Sequence, residues 1–280
     1  MPGFSSYDQI INALTVNALG EDGQLNKVSF TTVAGGKYAL GYAAGVPAAL
    51  VFGTALTATQ MTQAVTGAII PFTNPIAPAT KHLLSAGVGS TVAAGTFMVY
   101  DLLARYPVNG SVITLQNFTS VALPARDNTG TANGGGVMAM VVNSSATVST
   151  ATTLTVNYTN SAGTAARTTG AQAIIASAQH RVLHDTQGFF LPLQAGDVGV
   201  RTIQSCQFAA TATSTAIEIQ LIRPLAFIPV LVAGGFTERD LVLATPKLPR
   251  LFDGTALQLA LMAGTVSSGN VIADLQYAAN

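Results

Sequence analysis

The sequence predicts a mainly β protein: an antiparallel β-sandwich, jelly-roll-like in its connections, with an N-terminal helix and an extended arm. Two observations support this prediction. Short segments alternate between apolar and polar residues, as strands do when one face lies on a core. Turns rich in Gly, Asn and Ser separate these segments at regular spacing, which is typical of sandwiches. The 280 residues are enough to bury a substantial core.

Residues 1–75 are predicted to form the helix and the arm. Ser5 and Ser6 can cap a helix that Gly20 ends. A helix of about three turns is not stable alone in water, so its apolar stripe needs a surface to pack on. The large side chains of this region are therefore the candidate contacts with a partner: Phe4, Tyr7, Ile10, Ile11 and Leu14. Residues 27–33 alternate as a strand does, and the Ala-, Gly- and Pro-rich tract at 37–80 is interpreted as an arm laid over a surface.

Residues 76–235 are predicted to form the sandwich, and its clearest feature is a strand pair. Residues 137–142 are apolar on both faces, which indicates a strand in the middle of the sandwich. Apolar and polar side chains then alternate from Thr153 to Thr159, and the turn Asn160–Gly163 can reverse the chain. A hairpin that returns through Thr164–Thr169 is therefore expected.

Other strands of the sandwich are expected near 97–106, 112–123, 198–208, 216–223 and 227–232. Residues 171–185 are ambiguous, because Ile174, Ala178 and Val182 have helical spacing while the Ile174–Ile175 pair also suits a strand. Cys206 falls in an alternating strand and is interpreted as a small core residue.

Residues 236–280 are predicted to form a charged segment and a terminal β-hairpin. Leucines alternate from Leu257 to Leu261, a turn follows at 267–270, and apolar residues alternate again from Val271 to Tyr277. The hairpin either completes a sheet of the sandwich or pairs with a neighbouring subunit, and the sequence favours neither.

The chain carries very little charge. Only 9% of its residues are charged, against about 25% in ordinary soluble domains. Membrane spans are not expected, because Gly45, Pro47, Gly53 and Pro71 break the long uncharged stretch. Nucleic-acid binding is not expected either, since no basic stripe exists. The N-terminus lacks the features of a secretory signal, so we expect no export.

Low charge also bears on assembly, because permanent protein interfaces are depleted in charge. No charged residue occurs at 39–80 or at 128–166. The composition therefore favours a surface covered by other protein, most simply a symmetric oligomer. The alternative is a monomer coated in neutral polar side chains.

No complete catalytic, cofactor or metal site is found in the sequence. His180 and His184 are spaced as zinc ligands on a helix would be, but no accompanying Glu completes the motif. Gly134–Gly136 precede a strand rather than a helix, so they do not form a phosphate loop. Arg126 and Asp127 are interpreted as a surface ion pair or a loop anchor. We expect no enzyme activity, no cofactor and no metal.

Several stretches resemble a known family. They include SSYDQIINALTVNALG near the N-terminus, GTFMVYDLL, LTVNYTNSAGTAART and LPLQAGDVGVRTIQS. They are similar to structural proteins found beside the major capsid protein in tailed bacteriophages, among them cement or head decoration proteins. The resemblance runs from the helix to about Pro229.

This resemblance implies a jelly-roll-like protein that assembles as homotrimers on the capsid exterior. It implies the major capsid protein as partner and the virion as the location, after synthesis in the host cytoplasm. A glycan-binding or host-recognition module of a phage head or tail is the alternative. Such a module needs exposed aromatic side chains and carboxylates clustered together, which this sequence offers sparsely.

Overall fold

The computed structural model describes most of the chain. The described residues are 4–16, 20–53, 55–65, 70, 72–75, 77, 79–91, 94–119, 121–144, 148–176, 181–184, 188–213, 216–244, 247–266 and 268–280, with the backbone alone at 29, 30 and 244.

Strands make up most of the described structure. They are β1 to β16 in chain order: Gly20–Thr31, Lys37–Ala39, Gly45–Val46, Thr59–Gln60, Lys81–Ser90, Gly95–Val108, Gln116–Asn117, Met138–Asn143, Thr152–Asn160, Arg167–Ile174, Val200–Phe208, Ile217–Val230, Phe236–Asp240, Arg250–Leu251, Leu257–Ala263 and Ser268–Ala279. The helices are α1, Tyr7–Thr15, and the single turn α2, Leu241–Ala244, with a 3₁₀ turn at Leu40–Tyr42. None of the described helices is long and apolar enough to cross a membrane.

The strands form three sheets with antiparallel pairing. The first sheet has the order β13-β5-β16-β1-β3, with β14 also on β5. The central sheet has the order β2-β15-β6-β12-β8, with β4 also on β6. The third sheet has the order β10-β9-β11-β7. The predicted mainly β, antiparallel, sandwich-like fold with an N-terminal helix is thereby confirmed.

Two apolar cores lie on one face of the central sheet. The first core packs the first sheet against one end of β6 and β12, through residues such as Phe97 and Ile228. The second core packs the third sheet against the other end of the same strands, through residues such as Tyr106 and Ile219. These two 14-residue strands pair along their whole length, so they hold both cores in one body.

The predicted hairpin is present as β9 and β10. In β9, Leu154, Val156 and Tyr158 are buried and the residues between them are half-buried. Gly163 in the turn has φ +84°, a conformation that favours glycine. The second strand begins at Arg167, opposite Tyr158, rather than at Thr164. Strand β8 at 138–143 is almost fully buried, also as expected.

The ambiguous segment 171–185 is extended wherever the structure describes it. Strand β10 continues to Ile174, and Arg181, Val182 and His184 form isolated β-bridges. Residues 177–180 and 185 lie outside the described residues. Among the described residues of the strand expected at 112–123, only Gln116–Asn117 form a strand, which pairs with β11. Gln116 bridges its own loop by donating to the carbonyls of Asn109 and Val112.

The tract after α1 differs from the expected arm. The strand expected at 27–33 is present but begins earlier: residues 20–31 form a full strand between β16 and β3. The described residues of 47–80 are largely irregular, as predicted, but Ile70 is buried in the first core. Leu50 and Met61 are buried in a third apolar cluster, with Met98 and Tyr100 on the other face of the central sheet. Such residues are too far apart to give a period, so composition alone made the tract resemble a free arm.

Buried polar contacts fix this tract to the outward face of the central sheet. The Tyr42 hydroxyl donates to the Glu218 carboxylate, which also accepts from the Gly53 backbone at 3.3 Å. The Arg105 guanidinium lies 3.7 Å from the same carboxylate and donates to the Val51 carbonyl. The segment 42–53 therefore belongs to the folded body.

The predicted terminal hairpin is wrong. Strand β15 pairs with β6 and β2 in the central sheet, whereas β16 pairs with β1 and β5 in the first sheet. Alternation of side chains shows which face of a strand is buried but not which strand it pairs with. The C-terminal strands thus close both sides of the first core, and the first sheet takes strands from all three predicted segments.

Candidate interaction surface

The first sheet has an outward face that the two cores do not use. Along β16, Val271, Ala273, Leu275 and Tyr277 are buried in the first core. The residues between them point the other way, because side chains alternate along a strand. Helix α1 covers one end of this outward face, and a groove lies at the other end. We call it the outer face.

Helix α1 begins with a local cap. The Ser6 hydroxyl accepts a hydrogen bond from the Gln9 backbone, and Asp8 lies in the first turn, where a negative charge is favoured. Its inner side packs through Ala13 on Leu84 and Ala278 of the outer face. The helix is thereby held by the sheet of its own chain.

The structure divides the five predicted contact residues into two groups. Phe4 and Ile10 pack against the protein's own sheet, and the Phe4 ring lies 5.6 Å from the His82 ring. Tyr7, Ile11 and Leu14 point outward and are 57%, 54% and 44% exposed. Only these three are free to contact a partner while the helix stays in place.

A groove of about 500 Å³ occupies the far end of the outer face. Phe236 and Ile272 form its apolar floor, and Val46 forms one wall. Phe236 lies flat over β5 because that strand has glycine beneath it: a Cβ at Gly87 would come within 2.5 Å of the ring. This groove was not predicted from the sequence, although the small residues at alternate positions of β5 are consistent with a ring lying over that strand.

Carboxylates gather between the helix and the groove. Asp274 borders the groove, and its pKa is raised, first by burial and then by the negative charges of Asp22 and Glu238. Glu238 lies opposite Gly87 in the β13–β5 pairing and so shares the outward side. The outer face therefore combines exposed apolar side chains with a negative centre.

Exposed charge is scarce over the whole described surface. Six of the twelve Lys and Arg side chains are buried: Lys27, Lys37, Lys81, Arg105, Arg126 and Arg223. Three others are half-buried, so only Arg201, Lys247 and Arg250 are exposed cations. Five carboxylates are exposed among the described residues, Asp8, Asp22, Glu238, Asp240 and Asp253, so the exposed charge is sparse and slightly negative.

The histidine pair does not come together as a site in the part described. His184 is buried, its Nε2 atom lies 3.0 Å from the Phe189 carbonyl, and burial lowers its pKa to about 3. His180 lies outside the described residues. Among the residues that are described, no group of three or more His, Cys, Asp or Glu side chains could hold a metal ion.

Arg126 and Asp127 are neighbours in sequence with separate roles. Arg126 is buried rather than at the surface, and its Nε lies 3.2 Å from the Asp101 carboxylate. Asp127 anchors the following loop, because it accepts from the backbone and hydroxyls of Thr129 and Thr131; these hydrogen bonds hold its pKa well below the usual value despite burial.

Cys206 is a buried core residue, as predicted, and burial raises its pKa to about 12.

The comparisons with known proteins give little. No protein-family profile matches the chain, and no curated protein matches it in sequence. The similar solved structures include a subviral particle of infectious bursal disease virus VP2, at 10% identity and TM-score 0.15, covering 96% of this chain and 85% of that one. They also include the VP1 pentamer of human polyomavirus 6, at 10% identity and TM-score 0.13, covering 92% and 93%.

Both are viral capsid proteins, but alignments with scores this low do not establish a shared fold. The function is therefore inferred from the chemistry of the surface.

Proposed function

We propose that this protein is a structural component of a virion that binds the outside of a tailed-phage capsid and stabilises it, as a cement or decoration protein does. The observation that carries the proposal is the scarcity of charge on the surface. Three exposed cations and five exposed carboxylates among the described residues are few for a lone protein of this size to be well solvated by charge. A surface of this kind is suited to contact with other protein.

The outer face is the part of the surface best suited to such contact. Tyr7, Ile11 and Leu14 expose apolar area at one end, and Phe236 with Ile272 does so at the other. Full burial of a large apolar side chain contributes about 1.5–3 kcal/mol. Several such residues on one face would supply a useful binding energy, and each copy in an oligomer would add its own contribution.

The test is decoration of capsids that lack the protein. Ile11→Asp places a charge in the centre of the exposed helix stripe, and we expect it to lower occupancy on the particle at least tenfold. Val198→Asp is the matched control, because Val198 is 73% exposed and belongs to the segment before β11, away from the first sheet. Equal occupancy for both variants would contradict the role of the outer face, and failure of the unaltered protein to bind would contradict the function.

Assembly as a homotrimer is part of the proposal. In a trimer with three-fold symmetry, the same uncharged patch of each subunit is covered at a subunit contact. Sedimentation velocity at micromolar concentration, and particle imaging, measure the state directly. A monomer both in solution and on the particle would exclude the trimer while leaving attachment to the capsid intact.

Glycan binding is a second candidate, favoured by one observation. The groove beside Phe236 brings an aromatic ring that is 54% exposed close to Asp274, Gln24 and Asn26. Aromatic faces and carboxylates or amides together are the groups that bind sugars in protein clefts. Phe236→Ala should abolish retention on immobilised host glycans if this function is correct, and should leave capsid attachment at most weakened.

A further inference from the structure

A second pocket, of about 450 Å³, opens where the two cores meet. On the inward side of β6, Asp101 lies between Phe97 of the first core and Leu103 of the second core. On β12, Arg223 lies at the corresponding place between the two cores. The buried Arg223 lines the pocket, as do Lys247, Leu248, Pro249, Arg250 and Phe252. The pocket lies away from the groove at Phe236.

Positive charge is concentrated in this pocket. Two of the three exposed cations of the chain, Lys247 and Arg250, line it together with the buried Arg223. No Asp or Glu is among its described lining residues. In a chain with so few exposed charges, two cations beside a third in one concavity are a local excess.

The buried side of the pocket holds two guanidinium groups and one shared carboxylate. Arg126 and Arg223 share the single carboxylate of Asp101, at 3.2 and 3.5 Å. The neighbouring Asp127 carboxylate is occupied by the donors of its own loop. The Nε atom of Arg223, in a side chain that is only 4% exposed, has no hydrogen-bond acceptor in the described structure.

The lining is held in place before any ligand arrives. The Phe252 ring lies close to two guanidinium groups, with Arg223 Cζ at 4.9 Å and Arg250 Cζ at 4.6 Å from its centroid. His82 adds an imidazole whose Nδ1 has no partner in the described structure. Its pKa is lowered to about 4, by burial first and then by Arg250 and Lys247, as expected where the potential is positive.

We propose that this pocket binds a small oxyanion through Arg223, Arg250 and Lys247, with Phe252 positioning the two guanidinium groups. Phosphate and carboxylate groups share the required chemistry, since guanidinium donors match the geometry of both. The volume admits an anion larger than inorganic phosphate, and clefts between packed units are common ligand sites. The proposal is independent of attachment to a capsid.

The experiment is calorimetric titration of the full chain with inorganic phosphate and, separately, with glutarate, at constant ionic strength. We expect saturable binding of at least one anion. Arg250→Gln should weaken it about tenfold, because a charge-assisted hydrogen bond is lost, and Lys247→Gln should weaken it several-fold. Arg201→Gln is the matched control: it removes the remaining exposed cation, on β11, and should leave the affinity unchanged.

Tighter binding of phosphate would identify a phosphorylated ligand, and tighter binding of glutarate a carboxylate. The proposal is overturned if neither anion saturates up to about 10 mM, where even a site with a Kd of about 1 mM would fill. It is also overturned if both pocket variants bind as the Arg201→Gln variant does. Circular dichroism and Tm of each variant check that the fold is retained, and Lys247→Gln carries the test if Arg250→Gln does not fold.

Discussion

The two apolar cores and the junction between them are built on the same two strands yet differ completely in chemistry. The cores pack sheet against sheet, and their buried members on β6 and β12 are apolar. The junction, where Asp101 and Arg223 face inward, is charged. The difference lies in what covers the central sheet at each place.

A neighbouring sheet brings a backbone whose polar groups are already paired in its own ladder, so the side chains between two sheets can be wholly apolar. Irregular chain brings carbonyls that still need donors. At the junction, Arg126 donates to the carbonyls of Gly254 and Met61, which lie outside the strands, and to that of Leu102 on β6; Arg223 donates to the carbonyl of Arg250 in the two-residue strand β14.

The same rule accounts for other buried cations. Lys27 donates to the carbonyls of Ala43 and Pro47, and Lys37 donates to that of His184. Five of the twelve Lys and Arg side chains thus donate to carbonyls outside the strands: Lys27, Lys37, Lys81, Arg105 and Arg126. Their burial leaves few positive charges on the exposed surface.

Breaking the junction should have the largest effect on stability. Asp101→Asn keeps the acceptor for the Ala256 backbone, at 2.9 Å, but leaves two buried guanidinium groups without a carboxylate. Removing one partner of a buried ion pair costs about 3–5 kcal/mol. We expect a loss of this size in the free energy of unfolding, measured in urea.

Two further variants are compared with Asp101→Asn: one in the first apolar core and one at the surface. Asp253→Asn is the surface control, because Asp253 is exposed. Leu259→Ala, in the first core, should cost about 3 kcal/mol by loss of packing. If Asp101→Asn cost no more than Asp253→Asn, the junction would not depend on its charges.

Acid should destabilise the protein through its buried histidine. His184 has a folded pKa of about 3, because burial and the charge of Lys37 disfavour the imidazolium. The unfolded chain binds the proton near pH 6.5. The contribution of this histidine is therefore complete above pH 6.5 and is lost as the pH falls toward 3, by about 2 kcal/mol at pH 5.

His184→Asn isolates that contribution from those of other titrating groups. The variant should be less stable at pH 8, since the hydrogen bond to the Phe189 carbonyl is altered. Between pH 6.5 and 4 its stability should then decline less steeply than that of the unaltered protein. Parallel stability curves for the two proteins would show that His184 does not stay neutral when folded.

The smallest effect on stability is expected at the outer face. Ile11 is 54% exposed, so Ile11→Ser should change the free energy of unfolding by no more than about 0.5 kcal/mol. Ile10→Ser, on the buried side of α1, should cost more and loosen the helix. Protection of the α1 amides from hydrogen exchange distinguishes the two: equal protection in both variants would mean that the sheet does not hold the helix.

Local pattern was enough for part of this structure. The alternation in β9, the turn after it and the buried run in β8 all depend on residues close together in sequence, and each was predicted within a few residues. The burial of Cys206 also followed from its strand. The candidate contacts were found as a set because the helical stripe is a local feature.

The division of that set was not predictable. Which of Phe4, Tyr7, Ile10, Ile11 and Leu14 faces the sheet depends on how α1 lies on Leu84 and Ala278. The groove at Phe236 depends on Gly87 in a distant strand. The first relation leaves no trace in a short window of sequence, and the small residues at alternate positions of β5 do not show which side chain covers them.

The sequence by itself determined the fold class, the strand faces and the scarcity of charge, since each is set by composition or by period-2 patterning. Only the tertiary structure decided that β15 and β16 separate into two sheets and that residues 20–46 join them. The burial of six of the twelve Lys and Arg side chains was also decided only by the tertiary structure. The physical reason is that pairing partners, and the irregular carbonyls that attract buried donors, are fixed by contacts between residues far apart along the chain.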